Sequence, residues 1–196
     1  MSDIFLAGVG GQGIITASRI IGDAALLAGK NVLLSETHGM AQRGGSVVCT
    51  ARIGDAHGAL ILDGRADVIL GFELLETLRA LPKASRSAAV ISSNETIVPL
   101  SVSTQKLHYP TLEEAKEEIL KAAGKLLFVD ARKLAAESGV PMSSNVVMIG
   151  ALAGSGCTGL PKAEFARAVE LNITRKVSEN ITAFNRGFDE ARSLSL

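Results

Sequence analysis

A glycine turn set between two apolar stretches constrains this chain more than any other feature. Asp3–Ala7 is a short, mostly apolar run; Gly8-x-Gly10-x-x-Gly13 follows; then Ile14–Ala28 places Ile14, Ala17, Ile21, Ala24, Ala25 and Ala28 near one helical face. A strand that feeds a helix through such a turn opens a parallel αβ unit. One glycine permits the turn, one allows close approach to the backbone, and one lets helix pack on strand. Gly29 then stops the helix, and Asn31–Ser35 reads as a second strand.

The alternation continues. Ser46–Ile53 is rich in β-formers and ends at the Gly54-Asp55 turn signal. Ala59–Leu62 is expected to pair as a short strand, and the Ala51–Gly64 insertion to run antiparallel. Asp67–Phe72 is a buried strand, followed by a helix over Glu73–Leu81 that Pro82 ends. Ala88–Ile91 is another core strand, and Thr96–Val102 a weak extended segment interrupted by Pro99. Thr111 with Glu114 three residues on is a capping-box signature for a helix that stops at Gly124. Leu126–Val129 is a strand, Ala131–Glu137 a helix, and Asn145–Ala153 an apolar helix of small residues. Pro161 suits the first position of a helix reaching Leu171. Thr174–Ser193 is a final helix with its stripe at Val177, Ile181, Phe184, Phe188 and Ala191.

Continuous apolar strands separated by helices require burial on both faces of a sheet. The expected fold is therefore α/β: a Rossmann-like three-layer domain with a mixed, mainly parallel sheet flanked by helices, spanning residues 1–196 as one unit. At 196 residues and 47% hydrophobic the chain can bury a sizeable core, and with no Trp that core must be aliphatic. Lys plus Arg and Asp plus Glu are 20 each, so no electrostatic footprint for nucleic acid or an anionic membrane exists. No run reaches the ~20 apolar residues of a membrane helix, and a strand-like run begins at Asp3 with no signal-peptide pattern before it. Cys49 and Cys157 read as two reduced thiols of a cytoplasmic protein. Two cysteines without a CxxC cannot ligate a four-thiolate iron–sulfur cluster, so any such cluster belongs to another chain.

Read alone, the glycine turn and Glu36 after the second strand suggest a dinucleotide-binding unit, the acid meeting a ribose. The same glycines serve chain geometry equally well. A dehydrogenase also needs a substrate domain, for which this chain leaves little room. The more informative segment is the polar loop Glu36-Thr37-His38-Gly39-Met40-Ala41-Gln42-Arg43-Gly44-Gly45, at the carboxyl end of the second strand. That edge is where open α/β sheets bind ligands. Arg43 with Gly44-Gly45 offers a fixed cation and backbone amides to a phosphate or carboxylate.

Four blocks carry a family resemblance: GVGGQGI at Gly8–Ile14, ETHGMAQRGGSV at Glu36–Val47, SNVVMIGALA at Ser144–Ala153, and N-x-x-A-F-x-x-G at Asn180–Gly187. With them the whole chain resembles the gamma-type subunits of 2-oxoacid:ferredoxin oxidoreductases. Relatives acting on pyruvate and 2-oxoglutarate tend to carry aromatic-Gly-Pro where this chain has His38-Gly39-Met40, which places the resemblance in the indolepyruvate (arylpyruvate) branch.

The resemblance implies a small subunit without cofactors of its own. Thiamine diphosphate and iron–sulfur clusters would lie on a large partner subunit, with ferredoxin met through the complex. The reaction would be oxidative decarboxylation of a small-molecule 2-oxoacid with coenzyme A. It implies no catalytic residue here. Gly10, Gly11, Gln12, Thr37, His38, Gln42, Arg43, Gly44 and Asn145 become candidates for the substrate/coenzyme A site or the subunit interface. Two other readings stay open: a stand-alone NAD(P)-binding oxidoreductase, and a purely structural partner subunit.

Simpler roles suit other residues. Asp130 reads as a helix cap, and Asn145 with Ser143 and Ser144 as a cap of the helix they precede. The run from Glu113 to Lys121 is a solvated face with a Glu117–Lys121 pair. His57 and His108 fall in exposed turns.

Overall fold

The computed structural model describes residues 1–38, 44–98 and 108–193. Its centre is a six-stranded sheet in the order β2-β3-β1-β4-β5-β6. The strands are β1 (Ser2–Val9), β2 (Val32–His38), β3 (Ser46–Ile53), β4 (Ala66–Gly71), β5 (Ala84–Ser93) and β6 (Lys125–Val129). β1, β4, β5 and β6 run parallel, whereas β3 is antiparallel to both β1 and β2.

The mixed, mainly parallel sheet is as expected, but its antiparallel member is not the Ala51–Gly64 insertion. It is β3 itself, along its whole length. Ala59–Leu62 forms no strand. Side chains of β3 hold that stretch instead: the Thr50 hydroxyl donates to Ala59 O, and the Arg52 guanidinium reaches Gly58 O and Leu60 O. Arg52 is anchored in turn by a bidentate pair with buried Asp3 at 2.9 Å.

Strand alternation divides the core. Ile4 and Leu6 of β1, Val68 and Leu70 of β4, and Leu127 and Val129 of β6 face one side. That side is covered by α1 (Ile14–Leu27), α4 (Ala131–Glu137), α5 (Ser144–Gly154), α6 (Lys162–Asn172) and α7 (Val177–Ser193). Phe5 and Ala7, Ile69 and Val90 face the other, under α2 (Leu74–Ala80) and α3 (Leu112–Ala122). Side chains alternate across a strand, so the central strands β1 and β4, apolar along most of their length, feed both layers.

Local signals set most boundaries. Thr111 accepts from the Glu114 N–H while Glu114 reaches back to the Thr111 N–H, a complete capping box. Asp130 caps α4 through the Lys133 N–H at 3.2 Å. Pro82 falls within a short 3-10 turn, Leu81–Lys83, that continues α2. On α3, Lys121 meets Glu118 at 2.7 Å, not Glu117, so the favoured pair is one residue shorter than the sequence suggested. The last helix begins at Val177, later than Thr174, because Lys176 takes a positive φ of 50° just before it.

Thr96–Val98 carries no regular structure, and the rest of that expected extended segment lies outside the described residues. Among the described residues, no helix is long and apolar enough to cross a membrane.

Candidate functional site

The parallel strands end at one edge, and the glycine turn closes it. Helix α1 leaves β1 toward β3 and β2, whereas α2 leaves β4 toward β5. The crevice between β1 and β4 is therefore the point at which the strand order reverses, the usual ligand edge of such sheets.

Gln12 occupies that crevice. Its Oε1 accepts the Val9 N–H at 2.8 Å; its Nε2 donates to Phe72 O at 2.8 Å and to Glu95 Oε2 at 3.2 Å. One amide thus ties the end of β1, the end of β4 and the segment after β5. Its oxygen also fills the space over Gly8, where a Cβ would lie only 2.8 Å away.

Gly13 sits at the α1 N-cap with φ 74°, a left-handed conformation that glycine adopts without strain. Asn145 packs against it. Its Nδ2 donates to Gly13 O at 3.3 Å and stands 2.5 Å from where a Gly13 Cβ would be. The expected capping role is not the one observed: Asn145 lies inside α5, and the N-cap Ser143 makes no side-chain cap bond. Its amide serves the glycine turn instead, across 132 residues of chain.

Two reciprocal backbone bonds fasten the polar loop to the same turn. Gly10 N–H donates to Gly45 O at 2.8 Å, and Gly44 N–H donates to Gly10 O at 3.2 Å. These bonds prolong the antiparallel β1–β3 ladder beyond Val9 and Ser46. Gly10 is therefore consumed by chain pairing, while Gly11 is exposed at φ 106° with nothing near its Cα hydrogens.

Thr37 and His38 end β2 in rows with Val48–Ala7 and Val47–Gly8. Thr37 faces the α2 layer, in a hollow of about 200 Å³ with Phe5, Ser35, Val48 and Thr50. Gln42 and Arg43 lie outside the described residues. The structure thus brings Gly10, Gly11, Gln12, Gly44 and Asn145 to one place, with Thr37 and His38 along the same edge.

Sequence reasoning missed the carboxylates beneath this edge. Glu73, fully buried, caps α2 through the Glu76 N–H at 2.9 Å and also accepts the Ile97 N–H at 3.1 Å and the Tyr109 hydroxyl. Burial, and then the Glu73 carboxylate, push the Tyr109 phenol well above its usual range. Buried Glu76 accepts the Ser46 hydroxyl at 2.6 Å, linking α2 to the start of β3. The one available signal was a glutamate directly after a buried strand, a position that favours capping.

Two observations weigh against a dinucleotide here. β3 intervenes between β1 and β2, so Glu36 stands two strands from the glycine turn, paired with Cys49, which pairs with Leu6. A ribose-binding acid needs β2 beside β1. Glu36 instead lies 3.9 Å from Arg19. Gln12, moreover, fills the approach to the turn.

The chain belongs to the family described as pyruvate ferredoxin/flavodoxin oxidoreductase, whose profile matches residues 3–190. Within that family it is 42% identical over 190 residues to the indolepyruvate oxidoreductase subunit IorB of Methanothermobacter thermautotrophicus, a match covering 96% of this chain and 97% of that one. The gamma-type resemblance and its indolepyruvate branch are thereby borne out.

The fold is that of the keto/oxoacid ferredoxin oxidoreductase gamma subunit from Geobacter sulfurreducens: TM-score 0.72 at 21% identity, covering 98% of this chain and 99% of that chain. It also matches part of the 2-oxoglutarate:ferredoxin oxidoreductase from Magnetococcus marinus, solved with 2-oxoglutarate, coenzyme A and succinyl-CoA bound. There the TM-score is 0.73 at 19% identity, over 99% of this chain and 31% of that one.

Proposed function

We propose that residues 1–196 form one gamma-type domain, the small subunit of a cytoplasmic 2-oxoacid:ferredoxin oxidoreductase acting on indolepyruvate or a related arylpyruvate. The subunit completes the assembly and contributes Gly10, Gly11, Gln12, Thr37, His38, Gln42, Arg43, Gly44 and Asn145 to the coenzyme A/substrate site or its interface with the partner. A large partner subunit carries thiamine diphosphate and the iron–sulfur clusters and passes electrons to ferredoxin. The overall reaction converts a 2-oxoacid, coenzyme A and oxidised ferredoxin into acyl-CoA, carbon dioxide and reduced ferredoxin. The carbon chemistry belongs to the thiamine cofactor; this chain supplies binding surface and excludes water. Cys49 suits no redox role, since burial and then the Glu36 charge push its thiol up to about 11.

The observation that carries this reading is the reciprocal Gly10–Gly44/Gly45 pairing, which pins the stem of the polar loop to the ligand edge of the sheet. With Thr37–His38 and Gly44–Gly45 both at that edge, the segment they bracket is the one this reading assigns to ligand contact. An arginine meeting a coenzyme A phosphate or a substrate carboxylate makes a charge-assisted contact of about 1.5–3 kcal/mol.

In the reconstituted complex, Arg43→Ala is therefore expected to weaken use of coenzyme A or the 2-oxoacid by roughly ten- to a hundredfold. Arg43→Lys should recover only part of the loss, because lysine lacks the planar fork. Steady-state kinetics, with assembly checked by gel filtration, decides. Unchanged constants in an intact complex remove Arg43 from the site, and loss of assembly makes the loop an interface element.

A further inference from the structure

We propose that two copies of this chain pair through the open edge of β2, antiparallel about a two-fold axis at Leu33, to form a continuous sheet. The proposal does not rest on the functional reading above.

β2 ends the sheet, and its outer side has no strand partner among the described residues. Such an edge is a template for another strand unless a proline, a bulge or an unpaired charge blunts it. Val32–His38 contains no proline or lysine, and its pairing with β3 runs in unbroken register. Its one acid, Glu36, has Arg19 3.9 Å away. Leu33 and Leu34 are 36% and 37% exposed, and Leu26 of α1, beside Val32 and Leu34, is 61% exposed.

The backbone of β2 fixes which groups are free. Gly54 N–H donates to Asn31 O at 2.8 Å, continuing the β2–β3 ladder. Along an antiparallel strand alternate residues turn both backbone groups the same way. Asn31, Leu33 and Ser35 thus spend theirs on β3, whereas Val32, Leu34 and Glu36 direct theirs outward.

Centring the axis on Leu33 sets Val32 opposite the second copy's Leu34, and Leu33 opposite itself. Lys30 then stands opposite the second copy's Glu36, on the α1 face. Each apolar residue meets an apolar one, and each charge meets its opposite, twice over. Shifting the axis to Leu34 puts Val32 against Glu36, and shifting it to Ser35 puts Leu34 against Glu36 and Val32 against His38. The Leu33 register is the complementary one, and the Lys30–Glu36 pair selects it. The symmetry closes the contact as a dimer.

Sedimentation velocity of the full chain over a dilution series should show a reversible dimer. Lys30→Glu and Glu36→Lys should each return it to monomer, and the double charge swap should restore the dimer. Circular dichroism and melting temperature confirm the fold of each variant. Residues facing each other in a non-hydrogen-bonded pair lie about 4.5 Å apart at Cα, within disulfide reach. In a Cys157→Ser background, because Cys157 is only half-buried, Leu33→Cys should therefore cross-link to itself on air oxidation, while Leu34→Cys and the Cys157→Ser parent, whose Cys49 is buried, should not.

A chain that stays monomeric overturns the proposal. So does a dimer indifferent to the single charge changes, or equal cross-linking at Leu33 and Leu34. A monomer whose Leu33→Cys thiol is shielded only when the thiamine-bearing subunit is added assigns the edge to that subunit and likewise overturns it.

Discussion

Gln12 shows how much one side chain can decide. Its amide uses both ends, and the strands it joins have no other side-chain tie at the crevice among the described bonds. Gln12→Ala would leave the Val9 N–H and the Phe72 carbonyl without their partner in a part-buried setting. A loss of about 1–3 kcal/mol is expected, measured by chemical denaturation. Gln12→Glu keeps the shape but removes the donor and sets a carboxylate against Glu95 and the Phe72 carbonyl. It should cost at least as much as the alanine variant, and a milder effect would show that the amide donor is not what holds the crevice. The sequence flagged Gln12 by its place inside a glycine turn. Its partners Phe72 and Glu95 were invisible there, because they lie 60 and 83 residues away.

At the scale of elements, the α5–α7 crossing depends on the absence of side chains. A Cβ on Gly150 would lie 2.0 Å from Phe184 O, and one on Gly187 would lie 2.0 Å from Val147 O. The backbones touch, and neither helix can yield without lifting the other from the core. Gly150→Ala should cost about 1–3 kcal/mol by overpacking and lower Tm by roughly 2–12 °C. Gly58→Ala, with open space around it, should leave Tm unchanged. Equal melting of the two variants would refute the close contact.

Periodicity located both helices but drew the α7 face through Val177, Ile181, Phe184, Phe188 and Ala191, of which Phe184 and Ala191 are buried and the other three only half-buried. The buried line runs Asn180, Ala183, Phe184, Gly187 and Ala191. The hydrophobic pattern marks large apolar residues, whereas a tight crossing selects small ones.

At the scale of the molecule, β3 sets the character of the sheet. By entering between β1 and β2 it leaves an αβ unit that reads like a nucleotide fold but lacks its geometry. NADH titrated into the folded chain should accordingly produce no saturable change in nicotinamide fluorescence. Saturable binding abolished by Gly11→Val would restore the dinucleotide reading.

Apolar runs, turn glycines and the Thr111 capping box are local signals, and they place the six strands and seven α-helices of the described residues within a few residues of where they lie, Ala59–Leu62 being the one expected strand that does not form. The sequence also carried the family, through blocks such as GVGGQGI and ETHGMAQRGGSV. Strand order, the antiparallel β3, the withdrawal of Glu36 from the glycine turn, and the meeting of Asn145 with Gly13 emerge only from the folded arrangement. Those are contacts between residues far apart in the chain. Strand order is set by which faces bury together and by the closure of intervening loops, and neither quantity is written in any single stretch of residues.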